Sequence, residues 1–529
     1  MMNEEKYLSI LSYAAIAAAF LFMSLFFLTA GMERVLTVIP DDAAYYFKIA
    51  QNAGAGEGLT FDGINRTNGF QPLWLSILVP VFAAYRGTPE AMCRIVLVLQ
   101  LVFLGGAALF LNSVLTRYFS RRVVFASLVL FLFLVFVPAA NGMESAILVF
   151  SLTGLLAYGS KAGVFSRRDA RRELVFGMLC GLVVLSRLDM VFVPLVVCGF
   201  AFGSALMARE GRGARFARAA AILAGTAAIA APYLIYNRVS FGAVMPISGM
   251  LKSSFPKISS PGYALSTLGR VGWVGSIAAL GYLAWFIVRL RAPGYARGGR
   301  SYFQGAMAMM AGAILLHFAH ALLFMKWAIF RWHYLPYKLF GVVMVCEPAE
   351  RVLATDIAGR FRLLYRPAVA AIIVIGCFTV SGNLSRSPGR SWGAAAYTAA
   401  RWARQSTVRD AVFAMKDAGN FGFFSERRVI NLDGVVNNLE YQAALKERSI
   451  KAYLMIKGVR FIAQHAFWDR PDITSGNYDS YAMTYQSHRY RCESEEIVLL
   501  KADEVYRSRP YFDGPYETVF IIWKMRCGE

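Results

Sequence analysis

Long apolar runs alternate along most of the chain with short, arginine-rich connections. Eleven runs stand out, at about 8–30, 94–116, 123–140, 143–160, 174–188, 190–208, 219–237, 270–290, 303–325, 334–350 and 367–382. A helix needs roughly 20 apolar residues to cross a bilayer, and most of these runs approach that length. A further segment, PLWLSILVPVFAAYR at 72–86, has only 15 residues and includes Pro72 and Pro80. Charge decides how to read it. If it does not cross, the loops 117–122, 161–173, 209–218, 289–300 and 351–366 share one side and carry 20 Lys and Arg, against 6 in the opposite inter-helix loops. The positive-inside rule makes the first set cytoplasmic. Residues 72–86 are then expected to lie in or dip into the outer interface, with the N-terminus inside and the first loop and the tail outside.

After about residue 383 the pattern changes. Strand-like pieces (RRVINL, VRFIAQ, EIVLL, TVFIIW) alternate with helix-like ones (YTAARWARQSTVRDAVFAMKDAG, NLEYQAALKERSIKAYLMIKG), and no run is able to span. The expected organisation is a transmembrane domain at 1–382, with a first outer loop and interfacial helices at 31–93. An extracytoplasmic α/β domain follows at 383–529.

Composition agrees. Hydrophobic residues make up 57% of the 529 and charged residues 17%, with a mean hydropathy of +0.47, as in a polytopic membrane protein. The net charge of +22 does not point to nucleic acid, because the arginines sit in short loops between apolar runs. The start, MMNEEKYLSI, lacks a basic n-region, so an uncleaved first helix is expected. No CxxC or His/Cys metal spacing occurs; Cys492 and Cys527, both in the tail, are expected to be able to pair if it is exported. Walker, dinucleotide-binding, zinc-protease and nucleophile-elbow patterns are all missing, which leaves nucleotide-driven transport and familiar hydrolase chemistry without support.

The candidate chemistry gathers in the first loop, IPDDAAYYFKIAQNAGAGEGLTFDGINRTNGFQPLW. Asp41 and Asp42 stand at its opening. One could act as general base towards an acceptor hydroxyl while the other orients a sugar or holds a cation; the plain alternative is an N-cap for the helix that follows. Tyr45, Asn65, Asn68 and Gln71 combine ring faces with amides, which suits a polyhydroxylated ligand, although Asn-Gly is also an ordinary turn. Arg187 and Asp189 form a tight turn, either as a site or as a simple ion pair. Glu144 is an acid in a short loop. Lys252, Arg331 and His333 are basic on the side where the positive-inside rule does not ask for cations, so they could cradle a phosphate or merely snorkel to headgroups.

These stretches resemble a family. The first loop is similar to that of GT-C membrane glycosyltransferases that use polyprenyl-phosphate-linked sugars, especially bacterial members grouped with the mycobacterial arabinofuranosyltransferases; NGMES, LSRLD and GNFGFFSERRVINLDGVVNN fit the same group. The resemblance implies a catalytic acid matching Asp41 or Asp42, and donor-phosphate contacts matching Arg187, Lys252, Arg331 and His333. It also implies a tail that binds or positions the acceptor. The expected reaction moves a sugar, such as a pentofuranose, from a polyprenyl phosphate to a glycan, lipid or protein outside the cytoplasm. It needs no nucleotide cofactor, and a divalent cation is left open by the acid–amide pattern. The rival expectations are a flippase for lipid-linked saccharides, which would want charged or broken helices at the midplane, and a glycan-binding scaffold.

Overall fold

The structure, a computed structural model, describes residues 2–164, 169–208, 210–259, 268–291, 301–354, 358–385, 391–466, 470–513 and 516–526. Among them nine helices are long and apolar enough to cross a membrane: Glu4–Thr29, Pro89–Leu115, Arg121–Ala139, Ser145–Ala162, Leu188–Leu206, Arg212–Phe241, Arg270–Leu290, Ser301–Phe324 and Tyr365–Leu384. The expected run 174–188 falls in the 17-residue helix Ala170–Ser186. The run 334–350 is divided between Leu335–Met344 and Cys346–Ala354, where Lys338, Glu347 and Glu350 interrupt the apolar stretch. The protein is a polytopic α-helical membrane protein with a sheet-containing C-terminal part. Cys527 lies outside the described residues, and with it the expected pairing to Cys492.

The first loop folds against the helical body. Pro40 and the acidic first turn open the helix Asp41–Gly54, of which most side chains from Ala43 to Ala50 are buried. Pro72, at the first turn where a missing N–H costs nothing, opens the short helix Pro72–Ala84. Trp74 anchors that helix: it is fully buried and its indole N–H donates to the Gly142 carbonyl at 3.1 Å. Gln100 holds the same short loop, accepting from the Gly142 N–H at 2.7 Å and donating to the Met143 carbonyl.

The tail begins its regular structure with the helix Trp392–Ser406, whose small-residue face (Ala396, Ala399, Ala400, Ala403) is buried. Strands β1 (Val412–Met415), β2 (Arg428–Asn431), β3 (Val459–His465), β6 (Glu504–Arg507) and β9 (Phe520–Lys524) form one sheet in the order β2-β1-β3-β9-β6. β1 runs parallel to β2 and β3, and β9 is antiparallel to β3 and β6. β4 (Ser480–Ser487) and β5 (Cys492–Leu500) make a separate hairpin, and β7 (Tyr511–Asp513) pairs antiparallel with β8 (Tyr516–Thr518).

One turn-and-helix element fastens the tail to the first loop. The helix Gly419–Phe424 is wholly buried, with Phe423 packed edge-on against Phe47 and Phe82 at ring distances of 5.5 and 6.2 Å. The backbones meet so closely that a Cβ on Gly419 would stand 2.1 Å from the Asp41 carbonyl oxygen, and one on Gly69 would stand 1.8 Å from that of Val435. Only glycine fits at either place.

Candidate functional site

Where the first loop, the tail and the helical body meet there is a cavity of about 400 Å³. Its walls include Asp42, Tyr45, Gln71, Glu144, Arg187, Asp189, Lys252 and His333, so eight of the twelve side chains singled out by sequence share it. Asp41, Asn65, Asn68 and Arg331 do not line it. Asn65 donates to Asp62 at 2.7 Å and shapes the loop. Asn68 donates to Asn237 at 3.2 Å and accepts the Ile247 N–H at 2.9 Å, which seats the helix Ile247–Lys252. Arg331 is exposed. Both asparagines thus spend hydrogen bonds within the protein, on the loop and its neighbours.

The Asp doublet divides. Asp41 faces the tail and accepts the Gly419 and Asn420 N–H groups, each at 2.7 Å. Its own helix takes no side-chain cap, so it caps a different helix from the one expected. Removal from water pushes the Asp41 carboxyl up to about 8, against the pull of those two N–H groups. Asp42 turns to the cavity and, among the described residues, makes no hydrogen bond or ion pair. Burial raises its proton affinity, Lys252 draws it back down, and Asp433 raises it further.

Opposite stands a knot of charge. Arg187, 3% exposed, grips Asp189 with two N–H donors at 3.1 and 2.6 Å, donates to the Trp332 carbonyl at 3.3 Å and approaches Glu144 at 3.7 Å. Tyr46 donates to Glu144 at 2.8 Å, and the Gln71 amide oxygen accepts the Leu188 N–H at 2.9 Å. His317, bonded to the Tyr337 hydroxyl at 2.8 Å, lies 3.5 Å from Asp189. Arg187 is thus largely satisfied by protein carboxylates. Lys252 differs: among the described residues no acid is ion-paired with it. His333 presents a buried ring nitrogen that has no hydrogen-bond partner among the described residues, and burial with the nearby Arg187 holds it well below its ordinary range, hence neutral.

The tail adds residues that the sequence reading missed. Asp433 accepts from the Asp417 N–H at 2.7 Å, from Asn431 at 3.2 Å and from the Tyr45 hydroxyl at 3.3 Å. Asn431 donates to the Tyr45 hydroxyl at 3.1 Å, and Val435 and Val436 close the wall. The stretch INLDGVVNN contained this signal as a lone acid beside a turn glycine. Nothing in its spacing tied it to a loop nearly 390 residues earlier. Among the described residues no group of three or more His, Cys, Asp or Glu is arranged to hold a metal ion.

Comparison with known proteins places the architecture. The crystal structure of ArnT from Cupriavidus metallidurans bound to undecaprenyl phosphate matches 93% of this chain and 98% of its own, with a TM-score of 0.55 and 12% identity. The likeness establishes the fold, which is of the GT-C type. A sequence-family profile described as "Domain of unknown function (DUF8728)" matches residues 389–517, the tail. A search of curated proteins finds no match.

Proposed function

We propose that the protein is a membrane glycosyltransferase that moves a sugar from a polyprenyl phosphate to an acceptor on the extracytoplasmic side of a bacterial inner membrane. The sugar is a pentofuranose such as arabinofuranose, and the acceptor a glycan, lipid or protein. The observation that carries this reading is the presence, in one cavity, of a carboxylate of raised proton affinity and a cation, neither of which is ion-paired among the described residues: Asp42 and Lys252. The likeness to a structure holding undecaprenyl phosphate supports it.

The chemistry follows from the groups present. The donor leaves as a phosphate, so the protein has to place two substrates, offset the leaving charge and accept one proton. Asp42 takes the acceptor's hydroxyl proton. Lys252 faces the departing phosphate, and the neutral His333 can donate or accept one hydrogen bond to it. Arg187, held by Asp189 and Glu144, orients that wall. Gln71, Tyr45 and Glu144 offer hydrogen bonds to sugar hydroxyls. The tail completes the wall beside the base through Asp433 and its neighbours.

The test is reconstitution of the purified chain in proteoliposomes with a radiolabelled polyprenyl-phosphate pentose and cell-envelope acceptor extract. Label should pass to acceptor with wild type and be nearly abolished in Asp42→Asn. Labelled lipid crossing the bilayer without transfer would make the protein a flippase, and binding without either would make it a scaffold.

A further inference from the structure

Beside the cavity wall lies a second group of cations that the transfer reading does not use. It forms where the tail hairpin turn, His488–Arg491, rests on the segment that follows the helix Ser301–Phe324. The Lys326 ammonium donates to the His488 carbonyl at 2.5 Å, and the Trp327 and His488 rings meet edge to face at 4.5 Å. The Arg489 guanidinium touches the Met250 sulfur at 2.9 Å and lies 5.6 Å from the Tyr490 ring centre. Backbone pairing connects this seam to the cavity: the Lys326 N–H donates to the Lys252 carbonyl at 3.0 Å, and Met325, next to Lys326, is in the cavity wall. Among the described residues none of Lys326, Arg489 and Arg491 is ion-paired with an acid.

Three cations drawn from two distant parts of the chain repel one another, and folding gathers them at a cost that an anion would offset. Lys326 registers the crowding: burial first, and then Arg491 and Arg489, hold its proton affinity below the ordinary range. A solvated surface would let these side chains spread apart. Here a hydrogen bond, a ring contact and a sulfur contact fix Lys326 and Arg489 in place, so the arrangement is preorganised.

We propose that this seam is an anion-binding subsite, which takes a phosphate or carboxylate group carried by a molecule lying across the cavity mouth. The inference goes beyond the donor phosphate in the cavity and does not need transfer to be the protein's activity, because the same cations would meet an anion on any saccharide lipid brought to that mouth. The anion's source is either a substrate molecule or the headgroup of a surrounding anionic lipid.

The experiment is calorimetric titration of the full chain in non-ionic detergent with inorganic tripolyphosphate, with and without saturating undecaprenyl phosphate to fill the cavity. Binding should persist when the cavity is filled and weaken as salt rises. Each lost charge should weaken it about tenfold, so Arg489→Gln with Arg491→Gln should lose roughly a hundredfold. Lys326→Met, in the body rather than the tail, should lose about tenfold independently, and Arg215→Gln should change nothing. The double variant's melting temperature reports whether it folds; if it does not, Lys326→Met alone decides. Repeating the titration in nanodiscs separates the sources. Tripolyphosphate binding lost in phosphatidylglycerol but kept in phosphatidylcholine assigns the site to lipid headgroups, and binding kept in both assigns it to substrate. The proposal falls if tripolyphosphate does not bind, if filling the cavity abolishes binding, or if the folded variants bind as wild type does.

Discussion

Asp41 and Asp42 are adjacent in sequence and have opposite fates, which makes them separable by experiment. Asp42→Asn keeps shape and removes proton affinity; under the proposed role it should lower turnover by about 10²–10⁴, with the melting temperature nearly unchanged. Asp41→Asn should act first on stability. A carboxyl that keeps its proton up to about 8 in the folded chain but releases it near 3.8 when unfolded supports the fold at low pH. That support is complete below the unfolded value and drains away as pH rises towards 8. Melting curves between pH 5 and 8 should therefore fall less steeply for Asp41→Asn than for wild type, and parallel curves would remove Asp41 as a contributor. The cations separate too. Arg187→Ala leaves Glu144 and Asp189 without their guanidinium, and breaking a buried pair costs about 3–5 kcal/mol, so the chain should lose stability as well as activity. Lys252→Ala should weaken donor binding roughly ten- to a hundredfold while the fold holds, measured by titration with undecaprenyl phosphate. Sequence singled out the doublet but could not divide it, because two neighbours on a helix differ by about 100° in direction and only the packing partner decides which face meets the cavity.

At the scale of elements, the first loop and the tail behave as one wall. The glycines at their junction give a direct test of that coupling. Gly69→Ala would drive a methyl into the Val435 carbonyl, so the segment bearing Asp433, Val435 and Val436 must shift. Transfer should drop at least tenfold and the tail should become easier to clip with protease, with the helical body still folded; normal activity and protection would show that the contact tolerates a gap. Much of this level was legible. The apolar runs announced the spanning helices, and the short strand-like pieces RRVINL and TVFIIW announced the buried strands β2 and β9. The short segment at 72–86 emerged as the helix Pro72–Ala84. The tail's contribution to the cavity was not legible. Asp433 and Tyr45 meet across 388 residues, and no local periodicity encodes such a pairing. That Asn65 and Asn68 would bond within the protein and lie off the cavity wall was not legible for a related reason: amides that fold a loop and amides that bind a sugar have the same composition.

For the whole molecule, orientation in the bilayer governs which substrates can reach the cavity. The cavity is lined jointly by the first loop and the tail, so both must face the same compartment. By the positive-inside rule, the Lys and Arg excess in the other set of loops predicts a cytoplasmic location for that set. Cysteine labelling from outside tests the assignment on positions the fold leaves accessible. Lys161 is exposed at the end of the helix Ser145–Ala162, and Tyr490 is 40% exposed in the tail hairpin turn. In a background with the native cysteines replaced, Tyr490→Cys should react with a membrane-impermeant maleimide in intact cells, and Lys161→Cys should react only after the membrane is permeabilised. The reverse pattern would put the cavity in the cytoplasm, where Asp42 and Lys252 would meet substrates made inside the cell. Labelling of both from outside would mean that an even number of crossings separates the two sites, which would require one of the helices between them, such as Ala170–Ser186 or Leu335–Met344, not to cross. The outcome thus bears on the chemistry as well as the map, because a lipid-linked sugar can be used only on the leaflet where its headgroup and the acceptor are both present.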